Sequence, residues 1–506
     1  MTTKSILLTG LLLTFFVVGA SSQRSRETVS GRVFLDDNHN GIFEASEKPL
    51  AGVMICNGED IVRTDPQGHY SLSLRKDRAV FVVKPAGYSV PQTNDHRPQG
   101  YRLPAQIATQ KGRVDFPLYK NEEGDSFTIA LLGDPQVDAM DDIHHVSKLV
   151  TEELALHKPD FMVPLGDLTF DNLSMFDPLA KTLGLVGSPL YYTIGNHDLN
   201  FGKSHLHERD DSFEAAFGPS YYAFEYGASL FLVLNDIYPT SARAYEGRID
   251  DQQMHFIQNL LALESRDKPV YIFLHIPLEF VENRQALLDL LQERENVFVG
   301  SGHTHTQYHN YYARPGRKPV HELVAGAVCG AWWQGPHDVQ GIPFALMYDG
   351  TPKGYWYMHI NQSTYTLDYK ASSYAPEKQM DLWAPEVNEW DTVLNVLNTD
   401  TLYANIYAAD AFTTVKLQWD NAGPWQSMER HEGVAPLFAR LQKLQALGRF
   451  ASAHGSPIPD EQTSSKHLWR FAIPKNLSPG PHLVTVTAER ETYGLKAIGK
   501  KVVWVK

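Results

Sequence analysis

The chain has 506 residues, enough for about three domains of average size. It is 43% hydrophobic and 11% aromatic, which excludes disorder as its dominant state. Forty-five Lys and Arg against fifty-nine Asp and Glu leave a net charge of −14; that field repels long nucleic acid but lets a local cationic site hold a small anion.

At the start, Lys4 precedes an apolar run from Ile6 to Val18, followed by Gly19, Ala20 and Ser21. This pattern predicts a signal peptide over 1–22, cleaved near Ala20, and hence a periplasmic or extracellular protein. No later apolar run has spanning length, so no transmembrane segment is expected in the mature chain. Cys56 and Cys329 are too few for a Cys-based zinc cage and are expected to be free thiols in different domains.

Residues 27–120 alternate short β-rich runs with Gly and Asp/Asn turns, predicting an N-terminal β-sandwich. Inside it, the segment from Asp36 to Glu47 fits the calcium-loop spacing: Asp36, Asn38 and Asn40, then Gly41, Ile42 and finally Glu47. The flanks look like strands rather than the helices of an EF-hand. The segment resembles the Asp/Asn-rich loop of bacterial surface β-sandwich repeats such as collagen-adhesin B-type modules. A structural calcium ion held by Asp36, Asn38, Asn40, Ile42 and Glu47 is one reading, and an ordinary polar loop is the other.

From residue 125 to 345 the pattern becomes βα alternation. Apolar strands at Phe127–Leu132, Phe161–Leu165, Leu190–Ile194, Pro269–Leu274 and Val297–Gly300 run respectively into Asp134 and Gln136, Asp167, Asn196 and His197, His275, and His303 and His305. A helix is expected from about Asp142 to Leu156. Strand C-terminal ends are where α/β sheets build sites. Carboxylates, amide oxygens and imidazoles are the donors that divalent first-row metals accept. Two such ions can clamp a phosphoryl group for in-line attack.

The ordered set Asp134-x-Gln136, Gly166-Asp167, Gly195-Asn196-His197-Asp198, His275-x-Pro277 and Gly302-His303-x-His305 resembles the calcineurin-like metallophosphoesterase superfamily. The resemblance implies a core of two facing sheets and two divalent ions with a bridging hydroxide. One ion would take Asp134, Gln136, Asp167 and His305; the other would take Asp167, Asn196, His275 and His303. It further implies that Asn196 contacts the phosphate and that His197 protonates the leaving group. Two positions depart from the usual pattern. Gln136 stands where a His is common, which favours manganese, magnesium or iron over zinc. The carboxylate that usually orients the catalytic His is displaced: position 170 is Phe, and Asp171 follows as the candidate partner of His197.

Downstream, Trp332 and Trp333 lie in a Gly- and Ala-rich stretch and are read either as a substrate face or as core. Asn235 and Asp236 are candidates for the rim, whereas His144, His145, His205, His207 and His309 read as solvated. The remainder, 346–506, alternates in β fashion and predicts a C-terminal β-sandwich with a helix around Pro436–Leu447. The order of the three parts resembles a three-domain class of exported bacterial calcineurin-like phosphohydrolases. The expected fold is therefore an α/β core flanked by two β-sandwiches. The expected function is hydrolysis of a small phosphate mono- or diester: a nucleotide, phosphosugar or phospholipid head group. The alternative is a catalytically silent glycan- or envelope-binding protein that keeps the fold. Nothing in the sequence fixes an oligomeric state.

Overall fold

A computed structural model describes residues 27–203, 206–385, 400–448, 458 and 463–505. The expected signal peptide and His205 lie outside them. Among the described residues no helix is long and apolar enough to cross a membrane.

Near the N-terminus, strand Thr28–Leu35 pairs with His69–Ser73 and with Phe116–Lys120. A second sheet runs in the order Ile61–Arg63, Met54–Cys56, Val80–Val82, Tyr101–Arg102. Alternate residues of both sheets, among them Val29, Val33, Ile55, Tyr70, Val82 and Phe116, close one buried cluster between them. The module leans on the next unit through the Tyr221 hydroxyl, which donates to the Gly58 carbonyl at 2.7 Å.

Beside a two-stranded ribbon, Ile237–Pro239 with Tyr245–Gly247, the central unit has two large sheets. One has the order Phe161–Pro164, Ser126–Leu132, Gly354–Asn361, Thr364–Ala371. The other has the order Tyr222–Tyr226, Ser229–Val233, Val270–Phe273, Val297–Ser301, Arg317–Ala325, Gln307–Arg314, with its middle four strands parallel. Ile129, Leu131 and Phe161 share a cluster with Phe224, Phe231 and Phe273 of the other sheet. Ala130, Leu132 and Met162, one residue out of phase, join Ile143, Val146 and Leu149 of the helical layer. That layer contains the expected helix, Met140–Val146 continuing through a π-helical turn, Ser147–Thr151, to Glu152–Leu156.

Two expectations change. Leu190–Ile194 lies beside Phe161–Pro164 only through isolated bridges, Met162 to Leu190 and Leu165 to Thr193. Pro164 accepts from the Thr193 N–H but has no N–H to return, so no continuous ladder forms. Strands Gly354–Asn361 and Thr364–Ala371, expected in the C-terminal sandwich, instead extend the central sheet: Gly354–Asn361 pairs antiparallel with Ser126–Leu132. Trp356 pins this arrangement, buried and donating Nε1–H to the Ala325 carbonyl at 3.0 Å.

The described residues of the C-terminal part form two four-stranded sheets. One holds Met380–Trp383, Thr401–Ile406, Ser465–Ala472 and Glu429–Gly433; the other holds Gln426–Ser427, Thr414–Trp419, Gly480–Arg490 and Leu495–Val505. The helix is Pro436–Ala446. A buried polar joint ties this part to the core. Asp349 Oδ2 lies 3.1 Å from His467 Nε2 and accepts from the Gln307 N–H at 2.7 Å, and Asp349 Oδ1 accepts from Thr351 N–H at 2.9 Å. Burial would raise the Asp349 carboxyl, but His467 and these N–H donors hold it below the usual range. A carboxylate depressed on folding adds stability above its unfolded value, near pH 4, and loses it as pH falls further. Asp349→Asn is therefore expected to cost about 1.5–3 kcal/mol at neutral pH, with the deficit shrinking in acid. Denaturant titration at pH 7 and at about pH 2.5, below the unfolded carboxylate value, measures it.

Candidate metal centre

The loops after the strands deliver the polar residues to one place. Five of their side chains sit on backbone in the left-handed region: Asp134 (φ 38°), Gln136 (43°), Asp167 (45°), His303 (75°) and His305 (51°). Non-glycine residues are held there only when the surroundings over-determine them, and such strain clusters at functional sites. Glycines give the loops room. A Cβ on Gly195 would lie 2.0 Å from Asp167 N, and one on Gly302 would lie 2.4 Å from Asp134 Oδ2. Gly302→Ala is expected to displace the Asp134 carboxylate and lower metal content while leaving the circular dichroism spectrum unchanged.

Buried carboxylates fix the loops from beneath. Asp198 accepts from the N–H groups of Leu168, Thr169 and Gly195, stapling two loops together. Asp236 accepts from His275 N–H and Ile276 N–H. It is buried beneath the site, not on its rim as expected, and Asn235 is buried beside it.

Four side chains converge above these supports. His275 Nε2 lies 3.2 Å from Asp167 Oδ2, 3.1 Å from Asn196 Oδ1 and 3.2 Å from His303 Nδ1. The metal-binding atoms of Asp167, His275 and His303 all fall within 4.8 Å of one another. On the other side of Asp167, Gln136 Nε2 is 3.3 Å from Asp167 Oδ2, and His305 Nε2 is 3.8 Å from Asp134 Oδ1. His303 N–H donates to both Asp134 oxygens, at 3.0 and 2.9 Å. The structure thus brings together all seven residues expected as ligands.

Tautomers and charge both fit divalent cations here. His275 Nδ1 faces the Leu165 carbonyl at 2.8 Å and His305 Nδ1 faces the Gly330 carbonyl at 2.5 Å. A carbonyl can only accept, so each Nδ1 carries a proton and each Nε2 points into the site, where it can offer a lone pair once a cation displaces any proton held there. Burial pushes Asp134 well above the carboxylate range, with His275 opposing and Asp167 adding to the rise. Burial would also raise Asp167, but His275, His197 and His303 hold it below that range. Against its own burial, His275 is drawn up to about 10 by the carboxylates of Asp167 and Asp134. Burial pushes His303 and His305 down to about 4, leaving neutral imidazoles. Two buried carboxylates drawing a proton onto a histidine mark a pocket that lacks positive charge. Gln136 points its amide nitrogen at Asp167; a half-turn of the amide presents the oxygen a metal needs.

His197 stands at the edge, partly exposed, with Nδ1 2.7 Å from Asp171 Oδ1. The Phe170 ring stacks on it, centroids 4.7 Å apart. Trp332 is 40% exposed and packs at 5.6 Å from His305 and about equally far from Phe170 and Tyr348. Trp333 does not reach this cleft. It is 8% exposed, donates Nε1–H to the Pro135 carbonyl at 3.1 Å, and packs on His145. Consecutive left-handed residues at 332 and 333 turn one ring outward and the other into the core. His145 and His309 are likewise interior rather than solvated: His145 is buried, and His309 stacks on Tyr493 and His321. His144 is exposed.

Three site neighbours escaped the sequence. Phe170 looked only like a missing carboxylate. Tyr245 sits close enough to Asp167 and Asp171 that, after burial, they push its hydroxyl up to about 12. Cys329 places Sγ 3.6 Å from Gln136 Oε1 and 3.7 Å from His305 Nδ1, and burial raises its thiol so that it stays protonated. Both cysteines are free.

Family models match most of the chain. A family model described as calcineurin-like phosphoesterase matches residues 127–307, one for the N terminal of calcineurin-like phosphoesterase matches 37–121, and one for its C terminal matches 322–494. The chain belongs to the calcineurin-like phosphoesterase family, with a phosphoesterase core and the family's N- and C-terminal parts. A solved dimetal phosphatase from Danio rerio is similar at 14% identity and TM-score 0.36, covering 48% of this chain and 96% of that one. No curated protein matches the sequence. The family is one of metal-dependent hydrolases acting on phosphoesters.

Proposed function

We propose that the protein hydrolyses a small phosphate ester, mono- or diester, at a dinuclear metal site outside the cytoplasm. The observation that carries this reading is the convergence of Asp167, His275, His303 and Asn196 beside Asp134, Gln136 and His305. Asp134, Gln136, Asp167 and His305 would hold one ion; Asp167, Asn196, His275 and His303 would hold the other. Manganese, magnesium, iron and zinc are the candidates, and Gln136 favours the first three. Bound there, the ions supply charge neutralisation for the phosphoryl oxygens and lower the pKa of the attacking water. The chain does the rest. Asn196 orients a non-bridging oxygen, while His197 delivers its Nε2 proton to the leaving oxygen. Asp171 fixes the His197 ring through Nδ1, and Phe170 limits its tilt. Trp332 offers a flat exposed face to the leaving group, suited to a base, a sugar or an acyl edge. Export rests on the composition of residues 4–21.

Metal analysis of the purified chain tests the reading. About two equivalents of transition metal or magnesium per chain are expected, with a loss in His303→Ala. A metal-free chain that takes up none on dialysis against all four ions would overturn it.

A further inference from the structure

The twelve-residue loop Asp36–Glu47 plays no part in the hydrolytic site. We infer that it binds one calcium ion, a site separate from the dinuclear centre and structural in role.

The donors at alternate positions are all oxygens: Asp36, Asn38, Asn40, the Ile42 carbonyl and Glu47. Oxygen-only sets of this size suit calcium and not zinc. The loop is mostly exposed, yet the carboxylates at its two ends are buried: Asp36 is 1% exposed and Glu47 is 6% exposed. Glu47 turns back into the loop, where Oε2 accepts from the Glu44 N–H at 2.9 Å. Its other oxygen, Oε1, is buried without a hydrogen-bond partner. A carboxylate oxygen left so has given up its water for no partner, a cost that stands unless something positive meets it. A carboxylate with one free buried oxygen at the last position is what a cation shared with Asp36 would satisfy.

The remaining donors are already arranged. Asp36 Oδ2 accepts from the Gly41 N–H at 2.8 Å, and Gly41 takes φ 73°. Glu44 holds the amide nitrogens of Asn38 and Asn40 at 3.0 and 3.2 Å, fixing which way their oxygens face. Each amide oxygen accepts one backbone N–H and keeps a lone pair for an ion. The loop is moored at both sides: Asp36 N–H donates to the Leu118 carbonyl, His39 stacks on Tyr119 at 4.0 Å, and Phe43 meets Phe34 edge-on at 5.4 Å. An ion there would clamp the end of Thr28–Leu35 to the start of Lys48–Pro49, closing the edge of the N-terminal sheet.

Equilibrium dialysis with radioactive calcium on the full-length, metal-stripped chain tests this, with Asp167→Ala and Glu47→Gln measured in parallel. One calcium is expected in both the wild type and Asp167→Ala, with a Kd of about 10⁻⁴ to 10⁻³ M, the weak end for such loops. Glu47→Gln is expected to lack that ion or bind it at least about 30-fold more weakly, and calcium should raise the melting temperature of the wild type and Asp167→Ala but not of Glu47→Gln. Should Glu47→Gln fail to fold, Asn38→Ala serves in its place, with about tenfold weaker binding expected. Equal calcium binding by wild type and the folded loop variant would overturn the inference. So would calcium uptake that disappears only in Asp167→Ala.

Discussion

Replacing Asp167 by Ala is expected to lower kcat/KM for phosphate esters by about 10³- to 10⁵-fold, roughly 4–7 kcal/mol of transition-state stabilisation. The size follows from where the carboxylate sits. Oδ2 lies against both His275 Nε2 and the Gln136 amide, where a group shared by the two proposed ion positions would sit. Oδ1 accepts from the His197 N–H at 2.9 Å and so also sets the loop that carries the proposed acid. An Ala there removes the anion that draws cations into both halves, and metal content should fall with activity. The fold should survive, because the supports under the site, Asp198 and Asp236, are untouched. A variant that keeps most of its turnover would remove Asp167 from the centre of the site.

His197→Ala is expected to behave differently. Its ring is not among the converging donors, and the backbone N–H that reaches Asp167 survives the substitution, so metal content should stay at the wild-type level. Turnover should drop by about 10²- to 10⁴-fold, the usual weight of a positioned general acid. The loss should be largest for phenyl phosphate, whose leaving group needs a proton, and smallest for p-nitrophenyl phosphate. Asp171→Asn keeps the geometry but weakens the charge opposite Nδ1 and should cost about tenfold or less, because the Asp171 carboxylate is half exposed and screened. Steady-state kinetics across a leaving-group series, beside metal analysis, checks these statements. Equal losses for good and poor leaving groups in His197→Ala would argue against proton donation.

The site was legible because its residues follow short apolar runs, all but Leu190–Ile194 forming strands, so the short Gly-Asp, Gly-Asn-His-Asp and Gly-His-x-His runs carry their own position. Asp171 was legible for the same reason, being close in sequence to Asp167. What escaped depends on contacts between distant segments. Nothing local says that Phe170 lies flat on His197, since the two belong to different loops. Trp332 and Trp333 could not be told apart, because neither helical nor strand periodicity applies to two consecutive left-handed residues. Strands Gly354–Asn361 and Thr364–Ala371 read as β, but an alternating pattern does not name its partner, and the partner is Ser126–Leu132 in the core. Leu190–Ile194 had the right composition for a strand and failed through the missing N–H of Pro164, a neighbour in space.

Hydrolysis of bis-p-nitrophenyl phosphate and p-nitrophenyl phosphate by the metal-stripped chain, with manganese, magnesium, iron or zinc restored one at a time and Asp167→Ala alongside, tests the central claim most directly. Metal-dependent turnover of at least one ester, absent from the variant, is the predicted result, and the ratio of diester to monoester rates would narrow the substrate class. No turnover of either ester with two ions demonstrably bound would contradict it, and would favour a binding protein built on a phosphoesterase fold.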